Sequence, residues 1–452
     1  MRASPSAVQR LWAAAAAAAV VVGSASAPAP VPASAACAAA DDSCCSLNGE
    51  FDAVLGACAC FAPWTGAACG VLDLLPAGLP QGYGMNPNLT SWGASLFVDP
   101  SHPDVTHMIV AESQLGCSLY YWSQNLRCSH AVSRAGPGAV YAFESVAVAQ
   151  PCANPEVVSF LNATTGEQLF ALFHIGDGNG APAKNCSSGA ADSGAGAGEQ
   201  DLPRGAIALP SSALTSTLHI ASSPYGPWVP SPFPPPTCNN PAPLPHPNGS
   251  FFLLCDSSAL YYSPHSVLGP WSRAGSVSAP GGVPGTYEDA ALFIDARGHW
   301  HALFHVYNVY GLIRISPTRT LSPRFLTLVP HTRPARTCSD VTPSCVNSTV
   351  SGHAFSRDGL VWQGSPEQPF GNLVRFADGS SMLVSTRERP KLLWDAAHIV
   401  PTHLVTAVTG GVSDCAWHDN TPCVNCKYDF WDFSLVQPLN LMPTSHLDRN
   451  PL

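Results

Sequence analysis

A short phrase recurs along this 452-residue chain and narrows the folds open to it. One copy runs Leu218-His219-Ile220-Ala221-Ser222-Ser223, then Gly226-Pro227-Trp228. Another runs Leu260-Tyr261-Tyr262-Ser263, then Gly269-Pro270-Trp271. Weaker copies are His130-Ala131-Val132-Ser133 before Gly136-Pro137, and His353-Ala354-Phe355-Ser356 before Gly359 and Trp362. Each reads as a strand ending in Ser, a tight turn, and a second strand opened by Gly. Further hairpins between the copies turn at Gly166, Asn248-Gly249, Arg297-Gly298 and Asp378-Gly379. Strand-like alternation flanks these turns, and no stretch carries a long helical period. Repeated four-stranded units predict an all-β chain, a β-propeller, ahead of a pair of β-sandwiches.

Five units can be laid out between residues 84 and 439. The first pairs Ser95–Val98 with His107–Val110. The second opens at Asn154-Pro155, the third at Asn240-Pro241, and the fourth at Glu288-Asp289. The fifth opens near Phe370-Gly371, crosses Met382–Ser385 and His403–Val405, and closes with Phe430–Val436. Residues 178–205, rich in Gly, Ala and Ser, read as a flexible surface insertion. Residues 309–342 interrupt the fourth unit and gather Arg314, Arg319, Arg324, Arg333 and Arg336. They read either as a basic loop or as translated non-coding sequence, and a long structureless loop in a compact domain favours the second. Residues 440–452 form a tail.

Arg2 and Arg10 precede an apolar run to Val22 and then the small residues Ala25-Ser26-Ala27 and Ala33-Ser34-Ala35. That order predicts a signal peptide over residues 1–35 and a secreted chain, the apolar core being short for a spanning helix. Seventeen cysteines, and sequons at Asn88, Asn162, Asn185, Asn248 and Asn347, suit an oxidising route. The net charge of −10 argues against a nucleic-acid partner. No later stretch is long and apolar enough to span a membrane, and no cofactor or resident metal is expected. Cys423-Val424-Asn425-Cys426 lacks the second pair that zinc would need, so disulfide bonding is the better reading.

Cys58-Ala59-Cys60, Pro63-Trp64, Gly66 and Cys69 resemble the C-terminal half of an EGF-like module, expected over residues 37–70. Cys45, Cys58, Cys60 and Cys69 are the expected disulfide cysteines. Phe51 stands where such a module usually has a Cys, so Cys37 or Cys44 could substitute and the pairing stays open. A segment this small needs disulfides in place of a core.

In a propeller the innermost strands begin near the central pocket. Ser91-Trp92-Gly93, Asn154, Asn240 and Glu288-Asp289 open units, while Glu112, His174, His305 and Arg387-Glu388 end second strands in this layout. Amide, guanidinium, imidazole, carboxylate and indole groups on one rim suit a sugar. The chain from residue 84 to 439 resembles the five-bladed propeller glycosidases of the arabinanase, β-xylosidase and levansucrase type. The phrases at Ser223 and Ser263 carry the likeness, as does Glu288-Asp289-Ala290, similar to an E-x-P segment whose Glu is the general acid. The resemblance implies hydrolysis of a poly- or oligosaccharide by an acid and a base. It implies Glu288 as acid, with Asp289, Glu112 and Glu388 as the remaining carboxylates. Trp92, Asn154, His174, Asn240, His305 and Arg387 are then expected to bind substrate. The chain departs from the pattern where the family places Asp, having Ser91-Trp92-Gly93, Asn154 and Asn240. The rival reading is a non-catalytic glycan-binding propeller. Individually, Glu388 also reads as an ion pair with its flanking arginines, Glu112 as a loop hydrogen-bonder, and His174, His301 and His305 as core histidines.

Overall fold

The computed structural model describes residues 41–442 except 81, 84, 86–88, 100, 117–121, 163–164, 184–214, 247, 256–257, 278–286, 307–350, 385, 396–398 and 411–430. The expected signal peptide, the 309–342 insertion, most of the 178–205 insertion, the Cys423–Cys426 pair and three of the sequons lie outside the described residues. Among the described residues no helix is long and apolar enough to cross a membrane.

Two short hairpins come first: β1 (Gly49–Asp52) with β2 (Ala57–Cys60), and β3 (Trp64–Thr65) with β4 (Val71–Leu72). Disulfide Cys60–Cys69 cross-links them, and Cys45–Cys58 ties the first to the helical turn before it. Four antiparallel four-stranded blades follow. Blade one is β5 (Ser91–Val98), β6 (Thr106–Ser113), β7 (Leu126–Ser133) and β8 (Ala142–Val148). Blade two is β9 (Ala153–Leu161), β10 (Gln168–Ile175), β11 (Ser216–Ala221) and β12 (Val229–Pro230). Blade three is β13 (Ala242–Pro245), β14 (Phe251–Leu254), β15 (Ala259–Ser263) and β16 (Ser272–Ser276). Blade four is β17 (Tyr287–Ile294), β18 (Trp300–Val306), β19 (Ser351–Ser356) and β20 (Gln363–Gly364).

The fifth blade differs from the sequence layout. Phe370-Gly371 leads into a separate hairpin, β21 (Leu373–Arg375) with β22 (Ser381–Leu383). The blade itself is β23 (Thr386–Trp394), β24 (Pro401–Gly410) and β25 (Trp431–Pro438). Its inner strand is therefore β23. Tyr83, just before blade one, bridges Ser434 on β25, so the chain entering the first blade borders the last and closes the ring.

The recurring phrase is explained by its turns. Gly136, Gly226, Gly269 and Gly359 all have positive φ, between 74° and 99°, between the third and fourth strands of their blades. At Gly226 an added Cβ would meet Trp228 at 3.0 Å, so only glycine lets the following tryptophan fold back. Apolar side chains fill the gaps between blades. Ile109, Val157, Phe170 and Leu172 join blades one and two, and Phe173, Leu218, Phe251 and Leu253 join two and three. The hairpin unit packs on blades four and five through Trp64, Leu72, Phe293, Leu303, Phe370 and Leu404. Polar ties fix it there: the Glu367 carboxylate accepts from the backbone N–H groups of Ala67, Ala68 and Gly70 at 2.8–3.0 Å.

Candidate active site

The five inner strands share one irregularity at their entry. Gly93, Asn154, Asn240, Asp289 and Arg389 each have positive φ, between 47° and 61°. In four of the blades the pairing register slips at this residue. A bulge residue of this kind re-aims its side chain out of the pleat. Here the five residues line one cavity of about 10 Å³ together with Lys391. That volume is about one water molecule. Among the described residues this part of the axis is polar.

Around that cavity a carboxylate cluster forms. Glu288 and Asp289 come from β17 of blade four, Glu388 from β23 of blade five, and His305 from β18. His305 Nδ1 lies 3.7 Å from Glu288 and 3.8 Å from Asp289, and its Nε2 lies 3.7 Å from Glu388. Asp289 and His305 are sealed, with side chains 2% and 3% exposed, whereas those of Glu288 and Glu388 are 18% and 16% exposed. The two glutamates are thus the carboxylates that a ligand can reach. Asn240 Nδ2 donates to Glu288 at 3.4 Å, and Asn154 Nδ2 donates to Asn240 Oδ1.

Cations balance the cluster from below. Arg389 Nη1 lies 3.5 Å from Asp289 Oδ1, and Lys391 Nζ pairs with Glu156 and donates to Ala290 O at 2.9 Å. Burial opposes the charged form of His305. Glu388, Glu288 and Asp289 outweigh it and push the imidazole up to about 9. Burial raises the Asp289 carboxyl to about 7, reinforced by Glu288 and Glu388 and opposed by Arg389. Glu288, Asp289, His305 and Glu388 each turn one ligand atom within 4.8 Å of the others, so this donor set could also hold a hard cation.

Four expected site residues lie elsewhere. Arg387 is fully buried inside the fifth blade. It donates to Thr406 Oγ1 at 3.2 Å, Gly371 O at 3.0 Å and Gln437 Oε1 at 2.6 Å, and sits 4.9 Å over the Phe370 ring. Glu112 is engaged by Tyr83 Oη at 2.6 Å, Ser129 Oγ at 2.5 Å and Arg127 Nη2 at 2.9 Å. His174 contacts His219 at 3.0 Å in the interior of blade two. Trp92 packs among Ala111, Leu126, Ala153, Ile175 and Ala407. Conversely, Arg389, Lys391 and Glu156 join the site with little local signal in the sequence; the one available is the X-Pro doublet, since Arg389-Pro390 repeats the form of Asn154-Pro155 and Asn240-Pro241.

No protein-family model and no curated protein matches this chain. Solved structures with a similar course exist at low identity. A family 117 glycoside hydrolase of the marine bacterium Zobellia galactanivorans is 12% identical, with a TM-score of 0.43 over 84% of this chain and 92% of that one. An α-L-arabinofuranosidase of Podospora anserina, solved with cellotriose, is 10% identical, with a TM-score of 0.42 over 82% of this chain and 96% of that one. An endo-arabinase of Bacteroides thetaiotaomicron is 10% identical, with a TM-score of 0.40 over 82% and 98%. Likeness this distant carries no inference about activity, which rests on the site itself.

Proposed function

We propose that the chain is a secreted glycoside hydrolase with Glu288 as general acid and Glu388 as the second carboxylate of the pair. One observation carries this reading: two reachable carboxylates, from the inner strands of neighbouring blades, close on a single buried histidine. Hydrolysis of a glycosidic bond needs such a pair, one to protonate the leaving oxygen and one to take a proton from water. His305 holds a carboxylate on each side of its ring and fixes their separation. Asp289 and Arg389 form the floor beneath them. Asn154 and Asn240 link to Glu288 and offer amide groups to sugar hydroxyls. The disulfide-linked hairpins in front are, in this reading, an EGF-like module that has become part of the propeller wall. Secretion accords with the four described disulfides. Release of reducing ends from arabinan, xylan and galactan, by the parent and by Glu288→Gln, tests the proposal.

One observation favours the rival, non-catalytic glycan binding: Asn154 and Asn240 stand at the bulge positions of their blades, where an amide can bind a hydroxyl but cannot take a proton from water. Retention on the same polysaccharides without release of reducing ends would establish it.

A further inference from the structure

A second cavity, of about 600 Å³, opens between blades one and five. Its volume falls in the range of small-ligand pockets, roughly 300–1,000 Å³. Its lining includes Val98 and Leu393-Trp394, at the far ends of the two inner strands that carry Gly93 and Arg389 at their entries. Five residues of strand separate Arg389 from Trp394, or about 17 Å. The cavity therefore lies on the face of the propeller opposite the carboxylate cluster.

We propose that this cavity is a second carbohydrate-binding site, for the neutral sugars of a polysaccharide chain. The lining supplies the groups that a sugar uses. Trp394 belongs to the lining and also packs its ring with Phe293 of blade four, centre to centre 5.4 Å; an indole suits the apolar C–H face of a pyranose or furanose. Arg134 projects with 63% of its side chain exposed, and its ion pair to Glu144 is a loose 3.4 Å contact on the surface. Most of its five donors remain for hydroxyl oxygens. Asp104 is exposed, and Asp395 accepts at Oδ1 from the N–H groups of Ile399 and Val400. Thr106 and Thr402 complete the polar rim. Two carboxylates against one guanidinium leave the lining net negative. That disfavours sulfated or uronic-acid sugars and selects neutral ones.

The site shares the carbohydrate reading above but does not depend on catalysis. Native gels containing arabinan, xylan or galactan separate the two claims, with hydrolysis of a short soluble glycoside measured in parallel. Arg134→Ala combined with Asp104→Ala changes exposed side chains only. It should weaken retardation about tenfold or more, the loss expected for charged hydrogen-bond partners, and leave hydrolysis of the short glycoside unchanged. Trp394→Leu should do the same, with thermal melting checking that the blade stays folded. Glu288→Gln should cut hydrolysis of a short alkyl glycoside about 100-fold or more yet keep the retardation. A parent that hydrolyses the glycoside but migrates freely in all three gels overturns the second site alone. Retardation indifferent to Arg134, Asp104 and Trp394 overturns it equally.

Discussion

Asp289 and Arg389 occupy the same bulge position of neighbouring blades, and their side chains meet across the axis at 3.5 Å. The pair places a cation beneath a cluster that would otherwise gather Glu288, Asp289 and Glu388 around one imidazole. Arg389→Met removes that guanidinium from a sealed carboxylate. The expected loss is about 3–5 kcal/mol of stability by urea unfolding. Adding Asp289→Asn should recover most of it, because the second change removes the buried charge. Equal stability of parent and Arg389→Met would show that the pair contributes little.

The hairpin unit hangs on Glu367. Three backbone N–H groups converge on its carboxylate, and Gly66 and Gly70 let the chain approach it closely. Glu367→Ala should cost about 1.5–3 kcal/mol, the usual range for hydrogen bonds to a charged acceptor. Limited proteolysis should then cut between residues 70 and 90 faster than in the parent, with the blades intact.

Buried histidines make the fold acid-sensitive. His107, His130, His219 and His403 are held down at about 4, and His174 at about 3, each chiefly by burial. Their folded values lie below the ordinary 6.5. The unfolded chain therefore binds more protons below that pH, and stability falls as pH drops from about 6.5 towards 4. His305 and Asp289, both raised, act in the opposite sense: their contributions are present at low pH and are lost as pH rises through about 9 and about 7. Five groups outnumber two, so the urea midpoint should be lower at pH 5 than at pH 7. A midpoint that rises on acidification would contradict this balance.

The disulfide Cys128–Cys152 joins the third strand of blade one to the entry of blade two and spans 24 residues. Replacing both cysteines by Val should lower stability by about 3 kcal/mol, from the freedom returned to the unfolded chain. Thermal melting of the oxidised parent and of the double variant checks this, and equal midpoints would contradict it.

How far the sequence revealed this architecture depends on which residues carried each signal. The glycines at 136, 226, 269 and 359 marked the outer turns of four blades, because positive φ at a tight turn restricts the residue to glycine. Only the opening of the fifth blade differs from the sequence layout, because the β21–β22 hairpin has its own Asp378-Gly379 turn and alternation, indistinguishable locally from a blade's first hairpin. Arg387 and Arg389 show a second limit. Two apart on a strand, they should share a face. The register slip between Glu388 and Lys391 breaks that parity, sending Arg387 into the blade and Arg389 to the axis. Bulges of this kind arise from how blades meet around the axis, which no local pattern encodes. Glu288, Asp289, Glu388 and His305 were legible as strand-end polar residues, but their convergence on one ring needed three strands from two blades.

Glycosides that differ only in leaving group test Glu288 most directly. The measurement is kcat/KM of parent and Glu288→Gln on an alkyl glycoside and on a nitrophenyl glycoside of the same sugar. A poor leaving group needs protonation, so the substitution should cost the alkyl substrate about 100–10,000-fold. The nitrophenyl substrate leaves without help and should lose far less. A variant that keeps the parent's rate on the alkyl glycoside, or loses both substrates equally while remaining folded, would contradict the assignment of Glu288 as the acid.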